Sequence, residues 1–303
     1  MPDAAAPLII EAALNGGTGP QHNPNVPRTS AELTRDGIAC LRAGASVIHT
    51  HLSDLHAGPE RAAELYLEHF EPILAEFPDA LVYPTIVFNT ERIEERVGHL
   101  PLLALRCGLR IGLMEPGSGS FVATDTDGLP VPRESAYVNT PAEIRYMGEL
   151  CEKWRLGPSM VIFEPGFLRH ALVYERAGRL PQGVFMRLTL CGGSSYRGPG
   201  HVDLLCGMSN TPRNLDVYLE MLGESRASWA VSVVSGDVFE NGVARHAIER
   251  GGHLRVGLED YAGPAQPSNS ELVAQAVALA RAVGRPVATP AEAARLLDLP
   301  VRA

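Results

Sequence analysis

The chain has 303 residues, of which 45% are apolar and 20% charged, with a formal net charge of -9. That composition supplies a globular core and argues against a nucleic-acid binder, which carries a basic stripe, although a few placed arginines can still build a local anion site. Five cysteines without a CxxC spacing point to reduced thiols in the cytoplasm, the opening MPDAAAPLII lacks the basic start of a signal peptide, and no apolar stretch reaches the roughly 20 residues of a membrane span.

In chain order, short β-rich runs alternate with segments of helical periodicity. The runs cover residues 8–14, 46–51, 80–87, 110–114, 160–164, 184–190, 229–234 and 253–259. Between them, TSAELTRDGIACLRAGA opens on a Thr/Ser cap, repeats apolar residues at helical spacing and ends at Gly44. The segments PERAAELYLEHFEPILAEF, NTERIEERVGHLPLLALRCG and SNSELVAQAVALARAVG read in the same way. Eight strands, each followed by a helix or a helix-bearing connection, predict an α/β chain of the (β/α)8 TIM barrel type, one domain over residues 1–303. A doubly wound sheet is the alternative, but no G-x-G-x-x-G opens a helix after the first strand. Long segments follow the first, fourth and sixth strands, at 15–29, 115–139 and 191–210. In a barrel all three lie at the C-terminal ends of strands, where active sites are built.

The second run ends in VIHTHLSD. Residues i and i+2 of a strand share a face, so His49 and His51 point the same way. Neutral imidazoles suit zinc and similar cations, and a catalytic zinc needs a third protein ligand. Even-numbered barrel strands share side-chain layers, so Glu259 or Asp260, at the end of the eighth run, can reach the pair. Taken alone, H-x-H is more often a surface or structural pair than a metal site. Even spacing puts Arg255, Gly257 and Glu259 on one face; Asp260 has the opposite parity and its direction stays open. Arg255 is either half of a core ion pair or a cation reaching toward an oxyanion. His22, His56, His69, His99, His170, His201 and His246 are isolated and expected in solvent, while His253 opens the eighth strand at the end away from chemistry.

With AALNGG, HNPNVPRTSAEL, AGASVIHTHLSD, GGHLRVGLED, SNSELV and GRPVATPAEAARLL in that order, the chain resembles the beta-keto acid cleavage enzyme family. The match is close at both ends and weak through the middle, roughly 90 to 240. The resemblance implies a zinc-dependent barrel, usually a homotetramer, that converts a β-keto acid and acetyl-CoA into acetoacetate and a new acyl-CoA. It places the metal ligands on His49, His51 and Glu259, the catalytic aspartate on Asp260 and the substrate-orienting arginine on Arg255. It puts Asn15 and Thr85 among the substrate contacts, Thr85 standing where the family has a serine that meets the substrate carboxylate.

Three departures bear on the substrates. Thr18 and Val161 stand where the type pattern has glutamates suited to an ammonium group, and Leu113 replaces a threonine. A pocket without those carboxylates should not favour a cationic substrate, because the buried cation would lack its partner; a neutral or apolar β-keto acid is expected. In place of an arginine motif after the seventh strand the chain reads VVSGD, with Asp237 near that point. The loop LCGGSSYRGPGH also departs from the pattern, which weakens the expectation for coenzyme A more than that for the metal. A metal-dependent lyase or hydrolase acting without coenzyme A, and a barrel that only binds a ligand, are the rival readings.

Overall fold

The computed structural model describes residues 6–54, 56–87, 92–125, 127–132, 136–193 and 204–301. Among them, eight parallel strands form the barrel: β1 (Ile10–Ala13), β2 (Val47–His49), β3 (Leu81–Tyr83), β4 (Ile111–Leu113), β5 (Gly157–Ile162), β6 (Phe185–Cys191), β7 (Ser228–Val234) and β8 (His253–Val256). The ladder order is β3-β2-β1-β8-β7-β6-β5-β4, and β3 lies against β4, so the sheet nearly closes on itself. The helices are α1 (Ser30–Ala43), α2 (Pro59–Glu76), α3 (Ile93–Arg96), α4 (His99–Arg106), α5 (Pro141–Trp154), α6 (Pro165–Arg176), α7 (Pro212–Leu222), α8 (Val243–Glu249), α9 (Asn269–Val283) and α10 (Pro290–Leu296).

The caps read from sequence form as hydrogen bonds. Thr29 and Glu32 make a reciprocal capping box at the start of α1, and Gly44 closes the helix in the left-handed conformation at φ 116°. Ser268 and Glu271 do the same for α9, which ends at Gly284. One expected helix divides. The segment NTERIEERVGHLPLLALRCG forms α3 and α4, because a continuous helix would drive the Pro101 ring into the Val97 carbonyl four residues back.

Strand ends differ from expectation for similar reasons. The third run, expected to reach residue 87, leaves the ladder after Tyr83, since Pro84 has no N–H to give. The eighth stops at Val256 rather than at residue 259, with consequences described below. Of the histidines expected in solvent, His69 and His99 are buried instead. They sit on the inner faces of α2 and α4, where His99 stacks on Tyr66 with ring centroids 5.6 Å apart and His69 meets the Thr50 hydroxyl at 3.0 Å. His56 and His170 are exposed, and His201 lies outside the described residues.

The apolar core fills the shell between the strands and the helices. The barrel interior is different. Along β1, Ile10 and Ala12 face one way and Glu11 and Ala13 the other, and Glu11 is fully buried in register with Val47 of β2 and Arg255 of β8. The long segments after β4 and β6 meet in an antiparallel pair, Val122–Ala123 with Leu204–Leu205. No helix among the described residues is long and apolar enough to cross a membrane.

A His/His/Glu cluster in the barrel mouth

β1 lies between β2 and β8, with Ala13 level with His49 and Ala12 level with Val256. Chain from both neighbours therefore converges over the end of β1. His49 ends β2, stacks on Tyr83 at 4.3 Å between centroids and turns Nδ1 to the Tyr83 carbonyl at 3.3 Å. That contact leaves Nε2 to face the cavity. His51 lies past the strand and is held by Asn15: the His51 backbone N–H donates to Asn15 Oδ1 (2.8 Å), and Asn15 Nδ2 donates to the His51 carbonyl (2.9 Å).

The carboxylates arrive by a turn. At φ 133°, Gly257 adopts a backbone that L side chains rarely take, and a Cβ there would collide with the Ala13 carbonyl. The Asp260 and Tyr261 N–H groups both donate to the Gly257 carbonyl, at 3.2 and 3.0 Å. Asn269, fully buried at the start of α9, accepts from the Leu258 N–H at 2.8 Å and donates to the Leu14 carbonyl at 2.8 Å. Strand parity had put Glu259 inward and left Asp260 undecided. In the turn parity no longer applies, and both side chains line the cavity.

His49 Nε2 lies 3.3 Å from Glu259 Oε2, and His51 Nε2 lies 3.2 Å from Glu259 Oε1. One donor atom from each of the three residues falls within a set no wider than 4.8 Å. Charge-assisted hydrogen bonds are shorter, about 2.7–2.9 Å. Ligands about 2.0–2.1 Å from a tetrahedral ion stand about 3.3 Å from one another, close to these two contacts, each of which uses a different oxygen of Glu259. Among the described residues Glu259 Oε2 is moreover buried with no hydrogen-bond partner. Burial holds His49 well below the usual imidazole range, keeping it neutral and able to ligate. Burial would raise the Glu259 carboxyl, but Arg255 and the two histidines more than reverse this and hold it well below the carboxylate range. The cluster fits a divalent metal.

Arg255 ties the carboxylates together, with Nε to Asp260 at 2.7 Å, Nη2 to Glu259 at 2.7 Å and Nη1 to Glu11 at 2.6 Å. It is therefore a core ion pair and a cavity wall at once. Burial raises the Asp260 carboxyl against the pull of Arg255. A second buried cation, Arg187 of β6, meets Glu11 at 3.3 Å and Ser159 at 2.6 Å, and also bonds the Tyr83 hydroxyl. Tyr83 in turn donates to Glu11. Buried charges of this kind persist only when paired and hydrogen-bonded. Glu11, Tyr83 and Arg187 escape a motif reading because they sit within the strands, spaced apart in sequence, and are joined only across the barrel. The one available signal was a charge inside an apolar strand, as in IIEAAL and FMRLTL.

The cavity encloses about 290 Å³. Thr85, Leu113 and Val161 line it together with the three candidate ligands, Arg255 and Asp260. Thr85 is fixed through its N–H, which donates to the Tyr66 hydroxyl at 3.1 Å. Two expected substrate contacts are placed otherwise: Asn15 holds the His51 backbone, and Thr18 directs its hydroxyl to the Glu259 carbonyl at 3.4 Å. Neither lines the cavity. Asp237 serves its own loop, accepting from the Phe239 N–H at 2.9 Å through its side chain and from Asn210 through its carbonyl. Residues 194–203 of the loop after β6 lie outside the described residues.

A parallel eight-stranded barrel with a His/His/Glu cluster and a buried Arg–Asp pair at the C-terminal ends of its strands defines a barrel enzyme whose mouth fits a divalent metal. The family sequence model for the beta-keto acid cleavage enzymes matches residues 7–299, and the chain belongs to that family. It is 31% identical to the 3-keto-5-aminohexanoate cleavage enzyme of Acetoanaerobium sticklandii, over 96% of this chain and 98% of that protein. It is 27% identical to the 3-oxoadipate:acetyl-CoA acetyltransferase of Cupriavidus necator, over 97% of this chain and 95% of that one. Among solved structures, ObcA bound to oxaloacetate shares the fold, with a TM-score of 0.69 at 18% identity over 92% of this chain and 68% of that chain. The protein is thus an enzyme that cleaves a carbon–carbon bond of a β-keto acid and transfers an acyl group.

Proposed function

We propose that the enzyme takes a β-keto acid and acetyl-CoA to acetoacetate and a new acyl-CoA, with zinc held by His49, His51 and Glu259. The convergence of those three side chains beside Asp260 and Arg255 in one cavity carries the reading. When bound, the metal supplies Lewis-acid polarisation of the substrate oxygens, and His/His/Glu is an established catalytic set for zinc. Asp260 takes a proton from the carbon between the substrate's carboxylate and ketone, its carboxyl raised by burial and so made a stronger base. That carbon bonds to the acetyl carbonyl, and the coenzyme A thiolate leaves. The thiolate adds to the original ketone, the bond beside it breaks, and the electron pair returns to carbon, where Asp260 gives the proton back. Acetoacetate and the new thioester remain, and atoms balance. Arg255 keeps Asp260 in place and offsets the developing negative charge. Thr85, on the cavity wall, offers its hydroxyl to the substrate carboxylate.

We infer further that the acyl chain is neutral, because Val161 and Leu113 present no charge to the cavity and the opposite charges of Glu115 and Arg187, which also line it, offset one another. A volume of about 290 Å³ stands at the small end of ligand sites, about 300–1,000 Å³. It suits a short acid, with the nucleotide of coenzyme A outside. An assembly of four copies, the family's usual form, is checked by light scattering.

The test is a panel of β-keto acids with and without acetyl-CoA, with bound metal measured alongside. Acetoacetate is expected only with acetyl-CoA; turnover without it would mean a lyase or hydrolase. In H49A and D260N, cleavage should fall by at least about 100-fold with the far-UV spectrum unchanged. Retained activity in either would sink the assignment.

A further inference from the structure

One carboxyl of the cavity has no part in the chemistry above. Glu115 follows β4 after Met114, whose N–H donates to the Ser159 carbonyl at 3.1 Å and so extends the pairing with β5. That contact delivers Glu115 to the barrel mouth, where it lines the same cavity as His49 and Asp260 while only 6% exposed. The Tyr137 ring lines the same cavity, and among the described residues Glu115 Oε2 is buried with no hydrogen-bond partner. Arg187 lines the cavity as well. Among the described residues its hydrogen bonds leave from Nη1, toward Glu11, Tyr83 and Ser159. Burial raises the Glu115 carboxyl, and Arg187 is the strongest influence opposing that rise, so the two charges feel one another across the cavity.

Four kinds of acyl chain can be weighed against this pair. A plain hydrocarbon leaves Glu115 Oε2 as it stands, buried and unpaired, which is unfavourable. An ammonium group satisfies Glu115 but meets the Arg187 guanidinium. A second carboxylate satisfies Arg187 but meets Glu115. A hydroxyl donates to one and accepts from the other without adding charge.

We propose that Glu115, with Arg187 lining the same cavity, selects β-keto acids that carry a neutral hydroxyl, or a similar donor–acceptor group, on the acyl chain beyond the ketone. This rests on the β-keto acid reading above and names the substrate class within it. A site built to hydrogen-bond a substrate hydroxyl discriminates against the analogue lacking one.

The experiment uses the metal-loaded full chain with three acids of equal length: plain, hydroxylated beyond the ketone, and aminated at the same carbon. Turnover with acetyl-CoA and calorimetric binding of each acid without it are measured for wild type, E115L and E115Q. The hydroxylated acid is expected to exceed the plain one by at least about tenfold in kcat/KM and in affinity. That ratio should fall to near one in E115L and be partly kept in E115Q, whose amide oxygen still accepts. A ratio near one in wild type, or one that persists in E115L, overturns the proposal. Preference for the aminated acid overturns both it and the neutral-chain reading, while cleavage itself stands. Glu115-dependent binding of the hydroxylated acid without acetoacetate formation would support the proposal and overturn the reaction assigned to the site. If E115L unfolds by circular dichroism, E115Q carries the comparison, and an undiminished ratio there together with full affinity for the plain acid overturns the proposal.

Discussion

At the scale of single residues, the His/His/Glu cluster depends on glycines and amides that add no donor atom to it. Gly16 of the NGG motif sits so close to Glu259 that a Cβ would enter its side chain, and Gly257 sets the turn that presents Glu259 and Asp260. Replacing Gly257 by alanine imposes both the left-handed strain, about 1–3 kcal/mol, and a collision with the Ala13 backbone. G257A is therefore expected to lose more than about 2 kcal/mol of stability, read by urea unfolding, and to lose bound metal. A variant as stable as wild type with full metal content would refute this account of the turn. The H-x-H pair was legible because two identical side chains stand two residues apart at a strand end. Asn15 and Asn269 were visible only as letters in motifs; their work, clamping the His51 backbone and the Leu258 N–H, is done across the fold.

At the scale of elements, local rules held where one segment decides its own fate. The capping boxes of α1 and α9 lie within four residues of chain, so residue spacing alone specifies them. Thr29→Ala removes the hydroxyl that accepts from the Glu32 N–H, and about 1 kcal/mol of stability should go with it; an unchanged urea midpoint would contradict that. The rules failed where a neighbour intervenes. Alternation carried the last strand to Glu259, but the Gly257 turn, held by Asn269 of α9, ends pairing at Val256. His69 and His99 read as solvated because neither has a ligand-like neighbour in sequence. They are buried because α2 and α4 pack together there: His99 stacks on Tyr66 of α2, and His69 meets the Thr50 hydroxyl just past β2.

At the scale of the whole molecule, buried ionisable groups set the response to pH and to metal. Burial pushes His69 and His99 down to about 4, and burial together with Arg285 pushes His253 down to about 3. His253 Nδ1 accepts the Ile9 N–H at 2.9 Å and is available to it only while unprotonated. Folded pKa values below the unfolded value of about 6.5 mean that the unfolded chain takes up protons first as pH falls. Stability should therefore drop below about pH 6.5, by up to about 1.4 kcal/mol per unit for each histidine. The decline continues to about 4 for His69 and His99 and to about 3 for His253. Urea midpoints measured across that range in wild type and H99F isolate one ring: H99F should lose stability less steeply as pH falls, and identical slopes would contradict the burial of His99. Metal acts in the opposite sense. A cation that binds the folded chain at a hundred times its dissociation constant adds about 2.7 kcal/mol, so a chelator should lower the melting temperature of wild type and leave that of H49A unmoved.

The sequence by itself determined the alternation of eight strands with helices, the helix caps, and the pair of histidines two residues apart at the end of the second strand. Periodicity, capping and parity are properties of one segment and its immediate neighbours. Only the tertiary structure decided that Asp260 points inward with Glu259, that Glu11, Tyr83 and Arg187 form one buried network, and that one oxygen of Glu115 is left in the cavity without a hydrogen-bond partner among the described residues. Those outcomes depend on which strands lie side by side and on charges burying one another across the barrel. Such interactions act between residues far apart in the chain, and no local pattern encodes them.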